Sequence, residues 1–85
     1  MHTVGLLEEA IAAAQQLGYA VRHEWLGGTG GGACEVKGKR ILFLDLAASP
    51  LEHLQKVLEA LRLEVRAPDV PLSRPLQDLL RRRAA

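Results

Sequence analysis

The stretch Arg40 to Leu46, RILFLDL, sets the hardest condition on how this chain folds. Read as a strand, it puts Ile41 and Phe43 on one face and Leu42, Leu44 and Leu46 on the other, so both faces need cover. One layer of helices covers only one face of a small sheet. The second face then requires either the carboxyl-terminal segment or a partner subunit. The chain has 85 residues, enough for one domain with a small core. Cores of that size leave only ~3 to 5 kcal/mol, and oligomerisation is a standard remedy, so a homodimer is expected.

The surroundings of this strand are read from periodicity. Leu6, Leu7, Ala10, Ile11, Ala14 and Leu17 recur at helical spacing, with Glu8, Glu9, Gln15 and Gln16 on the other face. Thr3 is the expected cap and Gly18 the expected terminator. From Tyr19 to Leu26 the chain alternates, and Tyr19, Val21, His23 and Trp25 form the side expected to be buried. A second short strand follows around Cys34 and Val36. Gly38 then makes a tight turn into RILFLDL, so the second and third strands form a hairpin. Ser49, Pro50, Leu51 and Glu52 spell a capping box with proline at the first helical position, predicting a second helix to Leu63. Beyond it EVRAPDVPLSRP holds three prolines and is extended. Leu76, Leu79 and Leu80 mark a short helix near Leu76 to Arg82, far below the ~12 to 15 residues a helix needs to stand alone. Its leucines must dock, with strand three or its copy in a second subunit as the receiver.

The expected fold is therefore α+β: a helix, a three-stranded antiparallel sheet, a helix, then an extended arm with a short carboxyl-terminal helix. Residues 1–63 form one α-β-β-β-α domain, and residues 64–85 form the arm, packed on the sheet or on a partner subunit. Leu42, Leu44, Leu46, Leu76, Leu79 and Leu80 are the expected interface residues.

Between the first two strands lies WLGGTGGGAC, with five glycines in ten positions flanked by the only tryptophan and the only cysteine. A phosphate loop needs glycines whose N–H groups converge on an anion ahead of a helix, usually with GK[ST]; here a strand follows and that tripeptide is absent. A long hairpin connection, a flexible lip on a binding surface and an anion site all remain open. For the last two, Trp25, Gly28, Thr29, Gly30 and Gly31 are the candidate ligand residues. The length calls for a reason, because a hairpin needs only two residues. Close approach to another backbone, or a mobile flap, would supply one.

Other chemistry is thin. Cys34 and His23 could share a face, with Asp45 as an orienting partner, but a nucleophilic or zinc reading lacks further members, and a lone cysteine is more often packed. No cofactor, metal or enzymatic activity is expected. Eleven Lys and Arg against ten Asp and Glu leave a net charge of +1, too little to draw in a polyanion, so nucleic acid is an unlikely partner. The run Arg81 to Arg83 reads as a solvated terminus. One cysteine makes no internal disulfide, the amino terminus lacks a signal-peptide pattern and no apolar run approaches a membrane span; these point to the cytoplasm. Abundant Leu, Ala and Arg without any Asn suggest a GC-rich or thermophilic source.

Three resemblances follow from these segments. The order of elements ending in EHLQKVLE resembles the start of the zinc-peptidase domain of bacterial repressor-cleaving proteases. This chain lacks the HExxH metal helix, so the likeness implies fold kinship without the metal. From Leu6 to Leu61 the helix, three strands and helix also resemble a double-stranded-RNA-binding domain. SPLEHLQK is acidic where that family is basic, and so the likeness implies topology rather than RNA binding. From Leu17 to Leu61, LGYAVRHEWLGG, GGGAC and ILFLDL most resemble short uncharacterised bacterial proteins, which implies a complete small protein and no particular activity.

Overall fold

The computed structural model describes residues 3–29, 31–64 and 69–82. The elements run α1 Thr3–Gln16, β1 Ala20–Glu24, β2 Gly31–Val36, β3 Lys39–Asp45, α2 Pro50–Leu63 and α3 Arg74–Arg81. This is an α+β fold with three helices and one three-stranded sheet among the described residues. Val65 to Pro68 of the expected arm, Gly30 of the glycine loop and Arg83 of the basic run lie outside those residues.

The sheet corrects the expected topology. Its order is β1-β3-β2, with β1 parallel to β3 and β2 antiparallel to it, so it is mixed rather than antiparallel throughout. The physical reason is the two-sided apolar character of β3. A strand apolar on both faces is best placed at the centre of a sheet, where a neighbour on each side shields its edges. The expected β2–β3 hairpin is present, with Lys37 and Gly38 at φ 52 and 79, the two positive values that a type I′ turn requires.

Both long helices lie on one face of the sheet. Leu42 and Leu44 of β3 are fully buried in one cluster with Leu7, Ala10, Ala13 and Ala14 of α1 and Leu54, Val57 and Leu61 of α2. Alanines on the inner stripe of α1 let the two helices approach closely. Thr3 falls inside α1 instead of capping it, while Gly18 takes the left-handed conformation at φ 99 and ends the helix as expected. At the start of α2 the Ser49 hydroxyl accepts the Glu52 N–H at 3.2 Å. Behind Gly18, the Arg40 guanidinium stacks 4.5 Å from the centre of the Tyr19 ring and donates to the Leu17 carbonyl and the Glu64 carboxylate. That bond to Glu64 is the main reason Arg40 stays above its ordinary pKa, against the opposing effect of desolvation.

Helix α3 docks chiefly on α1 and α2 rather than on the sheet. Leu76 is fully buried in the main core, and Leu79 and Leu80 pack against it half-buried. Charged side chains hold both ends. Glu9 accepts the Ser73 N–H and hydroxyl, each at 2.6 Å, at the amino end. Arg62 donates to the carbonyls of Leu79, Leu80 and Arg82 at the carboxyl end. Carboxylate at the start and guanidinium at the finish match the helix dipole and satisfy orphan backbone groups. A helix of eight residues therefore persists by docking within its own chain.

Candidate functional site

The glycine loop is organised by a residue from the far end of β3. Asp45 is fully buried, and its Oδ1 accepts the N–H groups of Leu26 at 3.1 Å and Ala47 at 2.9 Å. Its Oδ2 accepts the Gly28 N–H at 2.8 Å. The Asp45 carbonyl accepts from Nε2 of His53, the buried histidine on the first turn of α2, at 2.5 Å. Because a carbonyl only accepts, that bond places the proton on Nε2. The His53 ring meets His23 edge-on at 5.9 Å between centres. The Leu46 N–H bonds the Glu24 carbonyl at 2.9 Å, tying the ends of the parallel strands together. One residue thus fastens loop, strand end and helix start.

This arrangement explains the loop's length. With β1 and β2 on opposite sides of β3, the connection crosses the end of the central strand, two inter-strand spacings or roughly 10 Å, which no two-residue turn spans. It is therefore a crossing, and the hairpin-connection reading is corrected. At its end Gly31 has φ 76, and a Cβ there would lie 2.3 Å from the Phe43 carbonyl oxygen. The close backbone approach suggested by the run of glycines is found at this position.

The other candidate ligand residues are placed as follows. The Gly28 amide, and that of its neighbour Leu26, already bond a carboxylate of the same chain. The Thr29 hydroxyl turns back to donate to the Leu26 carbonyl at 3.1 Å. Trp25 is 72% exposed, which corrects the expectation that it faces inward. It lies beyond the last paired residue of β1, where the alternation no longer governs it.

Cys34 is exposed, correcting the packed-thiol reading. It pairs with Ile41, on the side of β3 away from the core, whereas His23 pairs with Leu44 and reaches His53. Cys34 and His23 therefore sit on opposite faces and opposite edges of the sheet, and no nucleophile–base pair forms. Among the described residues no group of three or more His, Cys, Asp or Glu could hold a metal ion, and no helix is long and apolar enough to cross a membrane.

The expected interface residues divide. Leu42, Leu44 and Leu76 are fully buried within the chain and Leu79 and Leu80 pack against the core, so the arm's leucines are satisfied in cis. Leu46 stays 52% exposed. The outer face of the sheet carries half-buried Ile41 and Phe43 beside exposed Cys34 and Val36, and none of these joins the core. Over this face the Arg22 guanidinium lies 6.0 Å from the centre of the Phe43 ring and pairs with Glu24 at 2.9 Å. A separate half-open groove of about 360 Å³ runs between α2 and α3, floored by Leu54, Leu58 and Leu79 and rimmed by Arg62 and Arg82.

The Asp45 knot was absent from the sequence reading, where Asp45 figured only as a partner for Cys34. Its signal is an ionisable residue inside an otherwise apolar strand end, which must find donors once buried. Comparison with known proteins adds no assignment: no family model, curated protein or solved structure matches this chain.

Proposed function

We propose that this chain is a small non-enzymatic interaction domain of the cytoplasm that self-associates as a dimer through the part of its sheet that the helices leave open. The observation that carries this reading is the uncovered face itself. All three described helices stack on the opposite side, which leaves Ile41, Phe43, Cys34 and Val36 without a packing layer in a chain whose core is small.

Competing uses draw less support. An anion at the glycine loop would compete with Asp45 for the Leu26 and Gly28 amides. Nucleic-acid binding would have to draw on a chain of net charge +1, in which Arg22 already pairs with Glu24 and Arg40 with Glu64.

Light scattering of the purified protein tests the proposal. A dimer at micromolar concentration is the expected result. A wild-type monomer across that range overturns it.

A further inference from the structure

The two edges of the sheet differ. β1 is the shorter, with five residues AVRHE, and carries the Arg22–Glu24 ion pair, the kind of charged decoration that discourages further pairing. β2 has six residues, GGACEV, without proline or lysine, and its last four residues are exposed. Among the described residues it pairs with β3 on one side only. Its other side presents backbone N–H and C=O groups beside small side chains, which is an open template for another strand.

Hairpin geometry determines which of those groups point outward. The two-residue turn at Lys37 and Gly38 is closed by the flanking pair, Val36 with Lys39. Antiparallel alternation then directs the backbone groups of Cys34 toward β3, like those of Val36, and those of Ala33 and Glu35 away from it.

A second copy of this strand is the complement to that pattern. Set antiparallel about a two-fold axis at Cys34, Ala33 of each copy faces Glu35 of the other. Both residues have their polar groups outward, so each of the two pairs exchanges two hydrogen bonds. Centring the axis on Glu35 would oppose two carboxylates. Centring it on Ala33 would spend a ladder position on Gly31, which is left-handed at φ 76. Only the Cys34 register meets every condition.

We infer that two copies of this chain join β2 to β2, antiparallel about Cys34, into one six-stranded sheet. The inference rests on the self-association proposed above and specifies its seam. Cys34 and Val36 already lie on the outer face with Ile41 and Phe43, so the joined sheet carries one continuous apolar surface across the axis.

The test uses the full chain. At the axis the two Cys34 residues form a non-hydrogen-bonded pair with Cα atoms roughly 4.5 Å apart, within the ~4.4 to 6.8 Å range of disulfides. Diamide should therefore convert the two thiols to one intermolecular disulfide, itself being reduced, rapidly at concentrations where light scattering reads dimer. Glu35→Pro removes an outward N–H and leaves the β3 ladder intact, so it should weaken association roughly thirtyfold through one lost bond per copy. Glu35→Ala should leave association unchanged. A dimer that cross-links slowly, or that survives Glu35→Pro, overturns the seam while self-association stands. A wild-type monomer overturns both. If Glu35→Pro fails to fold, the rate of wild-type cross-linking decides.

Discussion

Replacing Asp45 with asparagine swaps an acceptor for a donor at the point where the crossing loop is fastened. Oδ1 can still accept from Leu26 and Ala47, but the amide nitrogen now faces the Gly28 N–H that Oδ2 accepts at 2.8 Å. A hydrogen bond to a charged group contributes about 1.5 to 3 kcal/mol, and charge-assisted bonds are roughly twice as strong as neutral ones, so the two retained bonds weaken as well. Burying a neutral amide is easier than burying a carboxylate, which returns part of the loss. The net expectation is a destabilisation of about 2 to 3 kcal/mol, most of the ~3 to 5 kcal/mol available to a domain of this size. At about 4 to 8 °C per kcal/mol, the melting temperature should fall by roughly 8 to 24 °C.

Two measurements check this. Thermal and urea unfolding followed by circular dichroism gives the stability change. Amide exchange in wild type should show Gly28 protected and Gly27, whose N–H bonds none of the described residues, fast. The variant should lose the Gly28 protection while retaining that of β3. A stability change below about 0.5 kcal/mol, the range of an ordinary surface substitution, would refute the argument that this carboxylate holds the loop. Rapid exchange at Gly28 in wild type would refute it independently.

Other positions give equally direct outcomes. Gly31→Ala must move the Phe43 backbone and hold a side chain at φ 76, so it should destabilise by more than about 2 kcal/mol in urea unfolding; a neutral result would contradict the crossing geometry. Arg62→Gln should release the carboxyl end of α3, raising exchange at Leu79 to Arg82 with a global loss of about 1 to 2 kcal/mol, because Leu76 keeps the helix docked. Trp25 should be quenched readily by iodide in the folded state and shift little in emission on unfolding, whereas a blue-shifted, protected emission would place it against apolar surface.

All three helices are legible in the sequence, α2 to the residue and α1 and α3 to within a few residues at their starts, because each signal is local. Ser49-Pro50-Leu51-Glu52 opens α2 and the leucine stripe carries it to Leu63. Ser73 and Pro75 start α3 close to the expected position. Sheet order is a longer-range property. Alternation in Tyr19 to Leu26 reports that a strand exists but not which neighbour it pairs with, and adjacency in sequence favoured β1 against β2. The decisive clue was already in RILFLDL, since the one strand apolar on both faces is the one that takes the centre. The site was harder to read for the same reason. Trp25 and Cys34 stand out by rarity, yet both are exposed, while Asp45, an unremarkable letter at a strand end, holds the loop from 17 and 19 positions away.

The knot and the proposed seam are physically connected. The loop fastened by Asp45 ends at Gly31, which is pressed against the Phe43 carbonyl and begins β2, so the carboxylate helps fix where the edge strand starts and how its polar groups alternate. Hydrogen bonding along the seam needs that alternation held in register over only a few residues. Freeing the loop lets the first residues of β2 leave the ladder, and the dimer must then order them again on association. Asp45→Asn should accordingly weaken dimerisation as well as folding, although no atom of Asp45 lies in the seam. Glu35→Pro should do the reverse, separating the copies while leaving the monomer's melting temperature almost unchanged. That asymmetry separates a seam built on β2 from a contact on the outer face alone, where neither substitution would act directly.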